Sequence, residues 1–233
     1  VRSSAASDVY KRQEDPELLL LDGGDFSMGT LYQTINRTEA AELTMMGRIG
    51  YDAVTFGNHE FDYRSNGLSE MLISAVKNKE EDASLTLPML LSANIDWEKN
   101  KDQEDQKLRE AMELYGAKPY TILERNGVKI GIYGVLGQEA EDFAPESGID
   151  FDPIVDTSKK IVKELKDQGA EMIICLSHSG TNEDSSKSED EELAKYEEAL
   201  ELISFYAKKQ LYNEEKKLFV TTGNEYNIAS QVW

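Results

Sequence analysis

The segment TFGNHEFD, Thr55–Asp62, places an amide, an imidazole and two carboxylates within eight residues. A stretch that serves structure alone seldom has this mixture of side chains. The segment begins inside the apolar run DAVTF, residues 52–56, which has the length and composition of a buried β-strand. The sequence here predicts a strand that ends in a loop of chemically active side chains.

Outward from this segment, apolar runs of strand length alternate with segments of helical periodicity, which is typical of a sheet covered on both faces. The predicted strands are ELLLL (17–21), DAVTF (52–56), PMLLSAN (88–94), EMIICLS (171–177) and KLFVTTG (217–223), with a hairpin at YTILERNGVKIGIYGV (120–135). Asn126 and Gly127 lie at the centre of the hairpin and favour a type I′ turn. Because no repeat or interdomain linker is evident, we predict one α/β domain.

Four segments have apolar residues at helical spacing and are predicted to be helices. They cover residues 40–49, 65–76, about 157–167 and 183–201. Ser65 or Asn66 is the predicted cap of the second helix. In the fourth helix, Leu200 and Ile203 would continue an apolar face that includes Leu193.

The charge balance excludes some functions. The formal net charge is −20, from 45 acidic and 25 basic residues, so the surface as a whole repels nucleic acids and anionic lipid. A phosphate-bearing substrate would need a local positive charge, and a bound divalent cation is the simplest source. No apolar stretch approaches the roughly 20 residues that cross a bilayer. Cys175 lies in the apolar run MIICLS, which favours a buried, unreactive thiol.

Polar side chains stand at the carboxyl ends of three predicted strands. Asp25 follows the first strand, Asn58 and His59 follow the second, and His178 follows EMIICLS. Ligands of open α/β sheets bind at this edge, and a carboxylate, an amide oxygen and an imidazole together suit Zn, Mn or Fe. Each cluster alone has a structural alternative, such as a tight turn at DGGD or a histidine in a structural role. Because both histidines of the chain follow predicted buried strands, the joint pattern favours a metal site.

The motifs DGGD (22–25), GNHEFD (57–62) and SHSG (177–180), with βα units between them, resemble those of the calcineurin-like metallophosphoesterases. Within that group the chain is similar to the 5′-nucleotidase and UDP-sugar hydrolase family over roughly residues 14–195, and DFSMGT (25–30) also fits. The resemblance implies an α/β fold in which a layered sheet sandwich is flanked by helices (αββα). It also implies hydrolysis of nucleotides or sugar nucleotides, in an extracellular, periplasmic or cell-surface location.

The same resemblance implies roles for five residues. Asp25 would be shared by two divalent cations, and Asn58 and His178 would bind the second of them. His59 would contact the phosphate, where it stabilises charge or protonates the leaving oxygen, and Asp62 would orient its imidazole. The cations would bind the phosphate oxygens and lower the pKa of the attacking water, which supplies the positive charge that the chain lacks.

Two motifs of the family, Asp-x-His before Asp25 and Gly-His-x-His after His178, are absent from the sequence. We therefore expect residues 14–233 to be a partial catalytic domain, with a weak match after residue 195 and without the C-terminal substrate-recognition domain. At most one cation would be well held, and this chain would be weakly active or inactive. Residues 1–13 lack the apolar core of a signal peptide, and we expect a non-native or disordered leader there.

A second hypothesis is a non-catalytic acidic module that binds a metal such as calcium through DWEKNKDQED, Asp96–Asp105. Lys101 stands where a calcium loop of the EF-hand type has glycine, and a solvent-exposed loop that leads into a solvated helix is the competing interpretation. A serine hydrolase and a P-loop enzyme are not indicated. LSHSG is not a Gly-x-Ser-x-Gly elbow, and the chain has no Gly-Lys-Ser/Thr.

Overall fold

The computed structural model describes residue 15 and residues 17–29, 31–180, 188–195 and 200–203. Within these ranges the strands form two sheets. The first consists of three short parallel strands in the order β1 (Leu21–Asp22), β2 (Ala53–Val54) and β3 (Met89–Leu90). Leu21 pairs with Ala53 and Ala53 with Met89, so the carboxyl ends of these strands share one edge.

The second sheet has four strands, β4 (Tyr120–Arg125), β5 (Val128–Leu136), β6 (Met172–His178) and β7 (Leu200–Ile203), in that order. β4 and β5 are antiparallel, and the other two pairs are parallel. The backbone φ angles of Asn126 and Gly127 are 51° and 78°. Positive values at both positions are what a type I′ turn requires, which confirms the predicted hairpin.

Seven α-helices lie within the described ranges, with 3₁₀ turns at Leu31–Ile35 and His59–Phe61. The helices are α1 (Asn36–Glu39), α2 (Ala41–Ile49), α3 (Arg64–Glu81), α4 (Gln103–Tyr115), α5 (Gln138–Asp142), α6 (Ile154–Asp167) and α7 (Glu189–Lys195). The prediction of Ser65 or Asn66 as a cap is wrong. α3 begins earlier, after Tyr63, without a side-chain cap, and the Ser65 hydroxyl donates to the carbonyl oxygen of Ser147 at 2.9 Å. No helix of the described chain is long and apolar enough to cross a membrane.

The helix predicted over residues 183–201 is wrong in its C-terminal part. α7 ends at Lys195, and Leu200 and Ile203 lie in β7, which pairs in parallel with β6. A short apolar segment fits a helix or a buried strand equally well by periodicity, and here it extends the sheet beside a fully buried strand. The predicted strand at residues 217–223 and the predicted leader at residues 1–13 lie outside the described residues.

Apolar side chains fill three layers, which confirms the αββα arrangement. The two sheets pack face to face, and α2, α3 and α4 cover the outer face of the first sheet while α6 and α7 cover that of the second. The buried residues between the sheets include Leu19, Leu21, Ala53, Leu91, Ile130, Ile132, Met172, Ile174 and Leu176.

The side chains of β6 alternate between two of these layers. Even-numbered residues from Met172 to Leu176 face the first sheet, whereas Ile173 and Cys175 face the helices. Because successive side chains of a strand point to opposite faces, His178 continues the even-numbered series. Its imidazole is therefore directed toward the loops that follow β1 and β2.

Candidate metal centre

The loops after β1 and β2 approach each other closely, and glycine makes this possible. Gly24 has a φ of 100°, and a Cβ there would overlap the backbone of Phe56 and Gly57. A Cβ on Gly57 would overlap Oδ1 of Asp25 and lie 2.6 Å from Cε1 of His178. The two glycines thus let the β1 loop, the β2 loop and the end of β6 meet at one place.

The buried carboxylate of Glu60 joins the two loops. Its Oε2 accepts hydrogen bonds from the backbone N–H of Gly57 at 2.6 Å and of Asp25 at 2.8 Å. Its Oε1 accepts from the N–H of Ser27 at 2.9 Å. These bonds help to hold Asp25 at a φ of 61°, in the left-handed region that few residues adopt. Burial and the charge of Asp25 raise the pKa of Glu60, and the three N–H groups oppose that rise.

The side chains of Asn58 and Asp25 both approach the imidazole of His178. Nε2 of His178 lies 3.1 Å from Oδ1 of Asn58 and 3.3 Å from Oδ2 of Asp25. All three side chains are largely shielded from solvent. Nδ1 of His178 lies 2.7 Å from the carbonyl oxygen of Gly23, which can only accept, so Nδ1 carries a proton and donates it. Nε2 is therefore the atom that faces the two side-chain oxygens.

A nitrogen lone pair that faces two oxygen acceptors is repelled by them unless a positive charge lies between, either a proton on Nε2 or a metal cation. Burial alone would lower the pKa of His178, but its interaction with Asp25 raises it above the usual value. Burial opposes the charge of Asp25, yet His178 and the N–H of His59 hold the pKa of that carboxyl below its usual range. The site thus attracts positive charge.

The donor set and its spacing fit a divalent cation. Within the described part of the chain, the buried Oδ2 of Asp25 accepts no hydrogen bond besides its 3.3 Å contact with Nε2 of His178, so lone pairs remain available to a cation. Ligand atoms bound at about 2.0–2.2 Å lie about 3.0–3.4 Å apart when they are neighbours, and the observed separations are 3.1 and 3.3 Å. A histidine whose Nδ1–H donates to a carbonyl is also oriented as metal-binding histidines usually are.

The amide of Asn58 is essential to this set. Across the described ranges, no three His, Cys, Asp or Glu side chains lie together as a group that could hold a metal ion. Asp25 and His178 supply two donors of those types, and Asn58 supplies the third as an amide oxygen.

His59 and Asp62 form a pair beside this group. The backbone N–H of His59 donates to Oδ1 of Asp25 at 3.0 Å, and Nδ1 of His59 lies 3.1 and 3.0 Å from the two carboxylate oxygens of Asp62. The side chains of His59 and Asp62 are 15% and 37% exposed, so the pair lies where the buried group meets solvent. The structure therefore brings all five predicted site residues together, while their roles stay predictions.

Three acidic residues near the site were not among the predicted site residues. Glu60 joins the loops, Asp190 bonds to the loop after β6, and Asp22 accepts from the N–H of Gly24 at 2.9 Å. Burial raises the pKa of Asp22 to about 7. Asp22 and Glu60 lie inside the DGGD and GNHEFD motifs, and this position in the sequence could have identified them as residues of the site. Asp190 lies outside every motif, and only the fold places it here.

The calcium-binding hypothesis is not supported for Asp96–Asp105, which the structure describes in full, because no three acidic side chains of this segment form a group that could hold a metal ion. Asp96 accepts from two backbone N–H groups and pairs with Lys99 at 3.1 Å. Asn100 donates to two carbonyl oxygens, and Asp102 caps α4. The segment is a loop that leads into a helix, as the competing interpretation predicts, with Asn100 and Asp105 buried and most of the remaining side chains exposed.

Comparisons with known proteins agree with this geometry. The chain is 31% identical over 234 residues to the trifunctional nucleotide phosphoesterase protein YfkN of Bacillus subtilis. The alignment covers 92% of this chain and 16% of that protein. It is 34% identical over 174 residues to the 5′-nucleotidase of Rattus norvegicus, in an alignment that covers 72% of this chain and 26% of that protein. The chain therefore spans about a quarter or less of the length of these relatives. No family model matches it.

Solved structures give the same result. The 5′-nucleotidase precursor from Thermus thermophilus matches with a TM-score of 0.60 and 28% identity, over 79% of this chain and 33% of that one. The calcineurin-like phosphoesterase YfkN from Bacillus subtilis matches with a TM-score of 0.63 and 20% identity, over 94% of this chain and 71% of that one. The fold is that of a calcineurin-like phosphoesterase. Together with the sequence relationships, it shows that the chain belongs to the 5′-nucleotidase family of these enzymes.

Proposed function

We propose that this chain is part of a metal-dependent phosphoesterase that hydrolyses nucleotides, with sugar nucleotides as related substrates. Family membership supports the reaction class, and the names of the relatives supply the nucleotide as substrate. Residues 14–233 would be part of the catalytic domain, and a further domain would bind the rest of the substrate. A location outside the cytoplasm, in the extracellular space, the periplasm or at the cell surface, rests on the family resemblance alone.

One observation carries the metal dependence. Oδ1 of Asn58 and Oδ2 of Asp25 both face Nε2 of His178, and among the described residues the Asp25 oxygen has no other hydrogen-bonding contact. A buried carboxylate oxygen with so few hydrogen-bonding contacts, beside an amide oxygen and an imidazole nitrogen, is costly unless a cation compensates it. These three side chains would hold the ion.

A divalent cation at this place would neutralise charge on the phosphate and lower the pKa of the attacking water. The chain needs such a contribution, because its net charge of −20 repels a phosphate ester. Asp25 provides the negative charge that retains the ion, and the shielding of the three donors from solvent strengthens that attraction.

His59 and Asp62 would move the proton that the leaving group needs. Asp62 contacts Nδ1 of His59 and orients the imidazole. The proton on Nε2 would then pass to the leaving oxygen as the phosphoester bond breaks, which is general acid catalysis. The hydrogen bond from the His59 N–H to Asp25 fixes this acid relative to the cation ligands.

The protein expressed from the gene with its natural upstream and downstream sequence restored tests the proposal. With Mn²⁺ or Zn²⁺ added, we expect release of phosphate from a nucleoside monophosphate. His59→Gln should lower the rate by about 10²–10⁴-fold without changing the affinity for the metal. Glu70→Gln, which alters an exposed ion pair with Arg37, is the matched control and should leave the rate unchanged. An inactive restored protein with metal demonstrably bound would refute the proposal.

The chain by itself permits a second test. With three donor side chains at the site, we expect isothermal titration with Mn²⁺ to show weak binding of one ion and phosphate-release assays to show little or no turnover. Two ions bound per chain, both lost in Asp25→Ala, would contradict the one-cation assignment.

A further inference from the structure

Two hydroxyl groups on either side of His178 are bonded to one buried carboxylate. The hydroxyls of Ser177 and Ser179 both donate to Oδ1 of Asp190, each at 2.7 Å, and lie 2.9 Å from each other. Asp190 is 2% exposed. Its second oxygen, Oδ2, accepts from the backbone N–H of Gly180 at 3.2 Å. Asp190 thus contacts the residue before His178 and the two residues after it.

The direction of the side chains makes this contact relevant to the cation site. Ser177 and His178 are successive residues of β6, so their side chains point to opposite faces. The imidazole of His178 faces Asn58 and Asp25, whereas the hydroxyl of Ser177 faces α7. The hydrogen bond of the Ser177 hydroxyl on one face of β6 therefore fixes the rotation of the end of this strand. That rotation sets the direction of the His178 imidazole on the opposite face.

The His178 backbone is also fixed from the other neighbouring strand. Its carbonyl oxygen accepts from the N–H of Gly137, the residue that follows β5, at 2.9 Å. Glu189, which precedes Asp190, accepts from the backbone N–H groups of Gln138 and Glu139. The first two residues of α7 thus bind the start of α5 and the end of β6.

Asp190 is the second residue of α7, and its carboxylate accepts three hydrogen bonds from the SHSG segment. A buried carboxylate close to other acids is unfavourable unless several donors satisfy it, and here three do. Such an arrangement is expected where a neighbouring group must be held to within a fraction of an ångström.

We propose that Asp190 is a positioning residue, which acts through Ser177 and Ser179 to hold Nε2 of His178 toward Asp25 and Asn58. This inference rests on the proposed function, because the position of the His178 imidazole affects activity only if His178 binds the cation. Outer partners of metal ligands typically contribute about 10–100-fold to metal affinity. We assign a contribution of this size to Asp190.

The test uses histidine-selective ¹⁵N NMR of the whole chain, whose two histidines, His59 and His178, give two sets of imidazole signals. In Asp190→Ala, we expect the His178 signals to shift or broaden as the imidazole loses its single orientation, while the His59 signals stay in place. The affinity for Mn²⁺ should fall by about 10–100-fold. Ser177→Ala combined with Ser179→Ala should have the same effect, and adding Asp190→Ala to that pair should add little.

Two further variants keep the test decisive. Asp156→Ala removes an exposed acid from the first turn of another helix, α6, without touching the site, and should change neither readout. Asp190→Asn keeps one acceptor oxygen for the hydroxyls and should lose less metal affinity than Asp190→Ala. The asparagine variant also replaces the alanine variant in the test if the latter does not fold. His178 signals and Mn²⁺ affinity that match wild type in a folded Asp190→Ala or Asp190→Asn protein would overturn the inference. If wild type binds no metal, the proposed function fails, and the His178 signals still decide whether Asp190 positions the imidazole.

Discussion

Replacing Glu60 by glutamine should loosen the site more than any exposed substitution would. Glutamine has the shape of glutamate but keeps only one acceptor oxygen. Oε2 accepts from Gly57 and Asp25, and Oε1 accepts from Ser27. In the better orientation the amide oxygen keeps the first two bonds, and the amide NH₂ then faces the N–H of Ser27.

The size of the effect follows from these bonds. Loss of one charge-assisted hydrogen bond, with a buried N–H left unpaired, costs about 1.5–3 kcal/mol. Removing the buried charge offsets part of this, because burial raises the pKa of Glu60. We expect the free energy of unfolding to fall by about 1–3 kcal/mol, which for a chain of this size lowers the Tm by about 2–12 °C.

Thermal unfolding followed by circular dichroism at neutral pH measures this change. The matched control is Glu70→Gln, since Glu70 forms a 2.5 Å ion pair with Arg37 but both side chains are more than 40% exposed. An exposed pair contributes at most about 1 kcal/mol, so its Tm should stay near that of wild type. Equal Tm values for Glu60→Gln and wild type, or an equal loss in Glu70→Gln, would refute the role given to Glu60.

Three further changes have defined outcomes. The folded-state pKa of Asp22 is raised from 3.8 to about 7. The contribution of Asp22 to the free energy of unfolding is therefore complete below pH 3.8 and is lost as the pH rises through 7, by up to about 4 kcal/mol. Urea titrations at pH 5 and pH 8 should show that Asp22→Asn removes this part of the fall in the free energy of unfolding, and an unchanged fall would contradict the prediction. Gly57→Ala should cost about 1–3 kcal/mol through its overlap with Asp25 and His178, and should also weaken Mn²⁺ binding; normal Mn²⁺ affinity would show that the loops adjust freely. In the restored protein, Asp62→Asn should reduce phosphate release about 10-fold or more and alter its pH profile while metal affinity is kept, and an unaltered profile would remove Asp62 from the proton transfer.

The local chemistry of the sequence was sufficient for much of the fold. Asn126 and Gly127 define the hairpin because few other pairs adopt positive φ at both positions. The fully apolar run before His178 became a strand buried on both faces. Leu200 and Ile203 were misassigned to a helix, since their spacing fits both structures and only the edge of β6 selects the strand. The division of the strands between two sheets came from the family resemblance, because strand periodicity carries no information about which sheet a strand joins.

The site was predictable to a similar extent. Asp25, Asn58 and His178 were found because each follows a predicted strand, and the carboxyl ends of parallel strands gather at one edge. Their hydrogen-bonded support was not found. Asp190 contacts Ser177 and Ser179 because of where α7 packs in the folded chain, and no spacing in the sequence predicts that contact.

The most direct test of the metal site is an anomalous difference map from a crystal of this chain grown with Mn²⁺ or Zn²⁺. We expect one peak about 2.0–2.2 Å from Oδ2 of Asp25, Oδ1 of Asn58 and Nε2 of His178, with Nδ1 of His178 still bonded to the Gly23 carbonyl. The absence of a peak there at saturating metal, or a peak bound by other side chains, would contradict the assignment of these three residues.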